Sequence, residues 1–192
     1  EWFMQLPLWL DLGELRVVHA CWDEEGMEAM RGLVDPNNNL TPELVVSASQ
    51  KNTPEWQAIE HLLKGPEVPV DSPYLDKGGD VRHHERVRWW DPEADTLRSG
   101  AYIPDGTTTV TKPPYPPLPT PKGHVAVAPY RSEVPLFYGH YWQRGTPTRS
   151  GEYTACVDYS AGKGGSLVAY RWSGESVLSD ANFVAVDPSG PR

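Results

Sequence analysis

Two histidines each follow a short apolar run, at the point where a strand would end. Residues 15–18 precede His19, and residues 136–139 precede His140. In α/β folds, ligand and metal sites collect at the carboxyl ends of strands. Two strands that each end in a histidine could therefore bring two imidazoles to one metal ion, although they lie about 120 residues apart in sequence.

A second explanation stays open, because a histidine at the end of a strand is often a packed or hydrogen-bonded structural residue. A catalytic transition metal usually takes three or four protein ligands, and neither His19 nor His140 has another histidine at i+2 or i+4. The adjacent pair His83 and His84 is not expected to bind metal, since neighbouring residues of a strand point in opposite directions.

Three segments resemble the calcineurin-like metallophosphoesterases, in particular the bacterial branch that includes lambda-type protein phosphatase and diadenosine tetraphosphatase. Val-Val-His-Ala at His19 and Tyr-Gly-His-Tyr-Trp at His140 are similar to the last two metal motifs of that family. The segments 156–160 and 164–171 are similar to the strand pair that follows those motifs. The resemblance covers residues 1–22 and 134–186.

The resemblance implies a hydrolase that uses two divalent metal ions to activate water against a phosphoester. Manganese is the first expectation for the ions, with iron, zinc and magnesium as the others. His19 and His140 would be ligands of one ion, and Asp158 would either orient a ligand or only cap a turn. The phosphorylated substrate stays open between a nucleotide, a phosphoprotein and a small phosphomonoester.

The earlier motifs of the family do not occur in this sequence. They are Asp-x-His, Gly-Asp-x-x-Asp-Arg-Gly and Gly-Asn-His-Glu, and in the family they hold the other metal and the catalytic histidine. The expectation is therefore the C-terminal part of a longer phosphatase, with no catalytic residue in this chain, only one metal partly liganded, and no activity without the N-terminal half. The alternative is a non-catalytic binding or structural module with packed histidines.

The densest basic stretch lies within residues 76–90 of an otherwise acidic chain. Arg82, Arg86 and Arg88 share strand parity, so a strand would place them on one face. Guanidinium forks suit phosphate oxygens, which makes Lys77, Arg82 and Arg86 candidates for binding the substrate phosphate. An edge strand kept from aggregating by its charges explains the stretch equally well.

Composition excludes several functions. The formal net charge of −9 argues against binding to a nucleic-acid backbone, which needs a positive face. No apolar run approaches the length of about 18 residues that crosses a membrane, and nothing resembles a signal peptide, which indicates a cytoplasmic protein. Cys21 and Cys156 lie in apolar runs and are expected to be buried free thiols.

The pattern of elements predicts an α/β (α+β) chain. A β-hairpin is expected over 8–12 and 15–21, a helix over 24–33, two helix starts at Thr41-Pro42 and Thr53-Pro54, and an antiparallel meander over 154–159, 166–172 and 183–186. With the resemblance, residues 1–33 and 134–192 would form the C-terminal half of a two-sheet β-sandwich flanked by helices. Residues 34–133 would form an inserted cap with a proline-rich strap.

A shared metal site also predicts geometry. The two strands should lie in one sheet and end at the same edge, with the imidazoles no more than about 10 Å apart. The side chains should face an opening beside an exposed apolar surface.

Overall fold

A computed structural model describes residues 2–75, 80–94, 100–102 and 129–188. These form a mixed α/β structure with three α-helices and three sheets. The α-helices are α1 (Glu24–Ala29), α2 (Pro42–Ala48) and α3 (Pro54–Lys64). The strands are β1 (Trp9–Asp11), β2 (Arg16–Val18), β3 (Glu67–Leu75), β4 (Val81–Val87), β5 (Ala101–Tyr102), β6 (Leu136–Tyr138), β7 (Thr154–Cys156), β8 (Leu167–Tyr170) and β9 (Phe183–Val186).

The four-stranded sheet has the order β1-β2-β6-β7. Strands β1 and β2 form the predicted antiparallel hairpin, with Gly13 in the left-handed region at φ 81° in the turn. Strand β6 runs parallel to both β2 and β7, with Val17 opposite Phe137 and Phe137 opposite Ala155. Since these three strands are parallel, their carboxyl ends meet at one edge of the sheet.

The predicted meander over 154–186 is wrong in its first strand. Strand β7 lies parallel to β6 in the four-stranded sheet, and only β8 and β9 pair antiparallel, as a separate two-stranded sheet. All three residues of β7 are buried, a pattern typical of parallel strands covered on both faces. The pattern of apolar and polar residues along the chain predicts a strand, but it does not predict which strand pairs with it.

One face of the four-stranded sheet packs against the β8–β9 sheet. Phe137, Ala155 and Leu178 are buried there, and Phe183 joins them from β9. The ring of Tyr170 lies 5.0 Å from that of Phe137 and 5.0 Å from that of Phe183, measured between centroids. Two sheets therefore face each other across an aromatic core.

The three α-helices begin as the sequence predicts. Asp23 accepts the Gly26 N–H at the start of α1, and Thr41 accepts the Leu44 N–H at the start of α2. Thr53 accepts the Trp56 N–H in the same manner before α3. Helix α1 ends at Ala29 rather than at residue 33.

The chain divides into two compact units, Glu1–Lys64 with Ser132–Arg192, and Gly65–Arg131. Helix α3 belongs to the first unit because it packs against α1 and because the Ala20 N–H donates to the Leu62 carbonyl at 2.9 Å. The boundary therefore falls after Lys64, whereas the predicted cap begins at residue 34. The identification of the segments 1–33 with 134–192 as a metallophosphoesterase sandwich, and of 34–133 as a cap, stays a prediction.

In the second unit, β3, β4 and β5 form an antiparallel sheet in that order, and Val68 packs against Val87. No helix among the described residues has the length and hydropathy needed to cross a bilayer.

Candidate metal centre

His19 and His140 meet at the carboxyl edge of the four-stranded sheet. His19 directly follows β2, and His140 lies two residues beyond β6, the parallel neighbour of β2. The centroids of the two imidazole rings are 5.3 Å apart, and the ring planes are tilted by 51°. The two side chains therefore lie within the distance expected for a shared site, whereas metal ligation by them stays a prediction.

The spacing of the rings can be compared with that of two imidazoles bound to one metal ion. A metal–nitrogen distance of about 2.0–2.1 Å places the ion roughly 3.2 Å from each ring centre, and a tetrahedral angle then separates the centres by about 5.2 Å. The observed separation is 5.3 Å. Two ligands of one ion fit this arrangement.

Gly139 lies where the two strand ends approach each other. Its N–H donates to the carbonyl oxygen of His19 at 2.9 Å. A Cβ atom at this position would lie 3.4 Å from that same oxygen and 3.7 Å from the Cβ of Asp158. Backbone from the ends of β2, β6 and β7 thus converges around the two histidines.

The electrostatic surroundings favour a neutral His19. The residue is exposed, yet the surrounding protein removes enough water to lower the pKa of the imidazole, while the negative charge of Asp158 acts in the opposite direction. A neutral imidazole has a nitrogen lone pair available for a metal ion. The lowered pKa of His19 therefore favours the form of the side chain that is able to bind a metal ion.

Asp158 caps a turn. Its Oδ1 accepts the N–H of Ser160 at 2.9 Å, and Ser160 itself lies in the left-handed region at φ 59°. This is one of the two roles considered for Asp158, and its charge also acts on His19. A role in orienting a metal ligand stays a prediction.

The ligand set is incomplete within the described part of the chain. In residues 2–75, 80–94, 100–102 and 129–188, no group of three or more His, Cys, Asp or Glu side chains could hold a metal ion together. Two histidines alone are fewer ligands than a catalytic metal usually takes. A complete centre would need donors beyond His19 and His140.

An apolar concavity of about 310 Å³ opens beside His19. Leu10, Val17, Phe137 and Val157 line it together with His19 and Gly139. Leu10 on the edge strand β1 is 37% exposed, and Leu12 beyond it is 61% exposed. The opening therefore lies beside His19, whereas His140 does not line it, and a role of this surface in covering a metal centre stays a prediction.

The basic stretch lies in the second unit, on β4. Residues 81–84 are all exposed, whereas Glu85 and Val87 are buried, so the alternation that strand parity predicts is seen only in the second half of β4. Arg86 is half-buried, and its Nε lies 3.7 Å from Oε1 of Glu67, its partner across the strand pair. Lys77 lies outside the described residues, and phosphate binding by any of the three stays a prediction.

His83 and His84 are both exposed on this strand, in the other unit from the metal candidates. They are adjacent on β4, and neighbouring residues of a strand point in opposite directions, which is the reason why they are not expected to bind one metal ion.

Sequence reasoning did not find the pair formed by Asp23 and His61. Oδ2 of Asp23 lies 2.8 Å from Nδ1 of His61, and both side chains are largely buried. Burial acts to raise the pKa of Asp23, but the hydrogen bonds from His61 and the Gly26 N–H, with the charge on His61, bring it below its usual value. Thirty-eight residues separate the partners, and the helix-cap signal at Asp23 was the only hint in the sequence.

Cys21 and Cys156 are buried free thiols, as predicted. Burial raises the pKa of Cys156 to about 12, and that of Cys21 also lies well above its ordinary value. Both side chains therefore keep their proton at neutral pH.

No family model, no curated protein and no solved structure matches the chain. Function is therefore inferred from the paired histidines and from what surrounds them.

Proposed function

We propose that the chain is the C-terminal part of a dinuclear-metal phosphoesterase, in which His19 and His140 are neutral ligands of one of the two ions. The observation that carries the proposal is the 5.3 Å separation of the two rings at the carboxyl edge of a sheet. The fold brings these two histidines together, and the separation of the ring centroids is compatible with two imidazoles on one ion. The sequence resemblance adds the reaction class.

The chemistry of such a centre is hydrolytic. Two divalent ions, manganese in the first place, would lower the pKa of a bound water and clamp the attacking and leaving oxygens of a phosphoester. This chain would contribute two imidazole ligands, and the lowered pKa of His19 favours the neutral form of that ligand. Strands β2 and β6 fix the spacing of the two rings.

The remaining ligands would come from another polypeptide segment that carries the Gly-Asp-x-x-Asp-Arg-Gly and Gly-Asn-His-Glu motifs. The apolar concavity next to His19 supports this, because a covering segment would bury its lining and place carboxylates at the same edge. Without the covering segment, the chain is expected not to hydrolyse an aryl phosphate in the presence of manganese. Robust turnover by the chain alone, abolished in His140→Ala, would refute an incomplete centre.

Paramagnetic broadening of histidine resonances tests the shared ligation. The chain, labelled at histidine, is titrated with Mn²⁺, and the imidazole signals are followed by NMR. His19 and His140 should broaden together at one metal concentration, and either alanine variant should remove most of the broadening at the remaining histidine.

His84→Ala is the matched control, because His84 is an exposed histidine on β4. This variant should leave the paired broadening of His19 and His140 unchanged. Broadening of His19 that survives intact in His140→Ala would contradict shared ligation. No broadening at either residue would favour the alternative, a non-catalytic binding or structural module with packed histidines.

A further inference from the structure

The backbone at His140 adopts a conformation that non-glycine residues rarely take. Its φ is 62°, in the left-handed region, and the Tyr141 N–H donates back to the Gly139 carbonyl at 2.6 Å. A tight turn therefore surrounds the histidine. Such a conformation persists only where neighbouring groups hold it, and it is often found at functional sites.

The carbonyl oxygen of Tyr141, next to the turn, accepts hydrogen bonds from two side chains. It accepts a hydrogen bond from the thiol of Cys156 at 3.1 Å and another from Nε2 of Gln143 at 3.0 Å. The Gln143 N–H in turn donates to the Asp158 carbonyl at 2.8 Å. The turn is thus tied to the end of β7.

The other side of the turn is tied to the end of β2, through the Gly139 N–H and the His19 carbonyl at 2.9 Å. His140 therefore lies between an attachment to the strand that carries His19 and an attachment to the strand that carries Cys156. Of these contacts, only those from Cys156 and from Gln143 to the Tyr141 carbonyl use side chains, so point substitution can remove them.

We propose that Cys156 is a positioning residue, whose thiol holds the Tyr141 carbonyl and so keeps the His140 imidazole beside that of His19. The proposal rests on the proposed ligand role of His140 for its functional meaning, but the effect on the turn is independent of any metal. Cys156 has no accessible surface, and its side chain is the last of β7. An apolar residue in its place would fill the strand position without donating to the turn.

Three variants of Cys156 test the proposal in the full chain. Cys156→Ala and Cys156→Val remove the donor, and Val also fills the space. Cys156→Ser keeps a donor and is the rescue variant. Thr154→Val is the control, because Thr154 is buried two residues earlier on the same strand.

The first readout is the backbone conformation of His140 in the absence of metal. It is monitored through the Cα and Cβ chemical shifts of His140 and its three-bond amide coupling. Cys156→Ala and Cys156→Val should lose the left-handed signature in part, whereas Cys156→Ser and Thr154→Val should keep it. An unchanged His140 in folded Ala or Val variants overturns the proposal, whatever happens with metal.

The second readout is the Mn²⁺ concentration at which His19 and His140 broaden together. Loss of a group that orients a ligand typically weakens metal binding about 10- to 100-fold, and that is the shift expected for the Ala and Val variants. The Mn²⁺ concentration required by Cys156→Ser should be closer to that of the parent chain than the concentrations required by Cys156→Ala and Cys156→Val. If the parent chain shows no paired broadening, the proposed function fails while the backbone readout still decides the role of Cys156.

If neither the Ala nor the Val variant folds, Cys156→Ser is read against Gln143→Met, which removes the other side-chain donor to the Tyr141 carbonyl. A His140 signature that is kept in both Gln143→Met and Cys156→Ser supports the proposal, because each variant retains a donor from residue 156. A signature lost in Gln143→Met overturns it, because the intact Cys156 thiol would then not hold the turn by itself.

Discussion

Replacing Asp23 or His61 should weaken the connection between the end of β2 and helix α3. Asp23 accepts the Gly26 N–H at 3.0 Å with one oxygen and contacts His61 Nδ1 at 2.8 Å with the other. Only 8% of the Asp23 side chain and 12% of the His61 side chain are exposed. Asp23 is four residues beyond His19, so this pair anchors the segment that follows a proposed ligand.

The expected cost follows from these two contacts. Loss of an N-cap costs about 1 kcal/mol, and loss of a hydrogen bond that involves a charged group costs about 1.5–3 kcal/mol. Asp23→Ala should therefore lower the free energy of unfolding by about 2.5–4 kcal/mol. The coupling energy between Asp23→Ala and His61→Ala should be about 1.5–3 kcal/mol, because the cap contribution cancels in the cycle.

Urea unfolding, monitored by circular dichroism at 222 nm, measures the free energy of unfolding of each variant. The signal reports on the first compact unit, because the described α-helices α1, α2 and α3 all lie in it. The control cycle pairs His61→Ala with Thr41→Ala, since Thr41 caps a different helix. Its two effects should add within about 0.5 kcal/mol. Coupling below that value for Asp23 and His61 would refute the pairing.

The same pair predicts a dependence on pH. The pKa of Asp23 is lower in the folded chain than its ordinary value of 3.8. Its contribution to stability is therefore fully present above that ordinary value and is lost as the pH falls through the lower folded value. The difference in unfolding free energy between the parent chain and Asp23→Asn should shrink below about pH 4. A difference that stays constant down to pH 2 would contradict a charged Asp23 in the fold.

Three further predictions concern other parts of the chain. Thr154 is 3% exposed, and its hydroxyl meets no hydrogen-bond partner in the described residues. Thr154→Val should therefore raise the free energy of unfolding in urea by about 1 kcal/mol. Thr41→Val should lower it by a similar amount, because Thr41 caps α2. The N–H of Ser173, with further hydrogen bonds, lowers the pKa of Glu175 from 4.5 to about 2. Its stabilising effect is therefore present above pH 4.5 and lost as the pH falls through about 2, so the deficit of Glu175→Gln at pH 7 should close over that range. If the chain belongs to a phosphoesterase as proposed and these arginines bind the substrate phosphate, Arg82→Ala and Arg86→Ala should each raise KM of that enzyme about 10- to 150-fold. Unchanged kinetics in both variants would leave the charged edge strand as the explanation.

Local signals in the sequence were sufficient for the elements that depend on neighbouring residues. A side chain that accepts the N–H three residues later needs only local geometry, and the helices capped by Asp23, Thr41 and Thr53 begin where the sequence predicts. The hairpin at Gly13 is likewise local, because a left-handed turn residue and two flanking apolar runs define it. The end of helix α1 could not be predicted as accurately, because it depends on packing as well as on helix propensity.

Strand partners were decided by tertiary structure. Residues 154–159 show the pattern of a strand, but nothing in that pattern states whether the neighbour is β6 or β8. In the fold, β7 is buried and pairs parallel with β6, and this pairing places Cys156 and Asp158 at the same edge as His19. The convergence at that edge is therefore a property of the assembled sheet.

The candidate site divides in the same way. His19 and His140 could be named from their positions after apolar runs, because the chemistry of imidazole and the ends of strands are visible in sequence. Three features of the site were not visible in the sequence: the 5.3 Å separation of the two rings, the left-handed turn at His140 and the contact between Asp23 and His61. No local pattern encodes such contacts, because each depends on the packing of several elements at once.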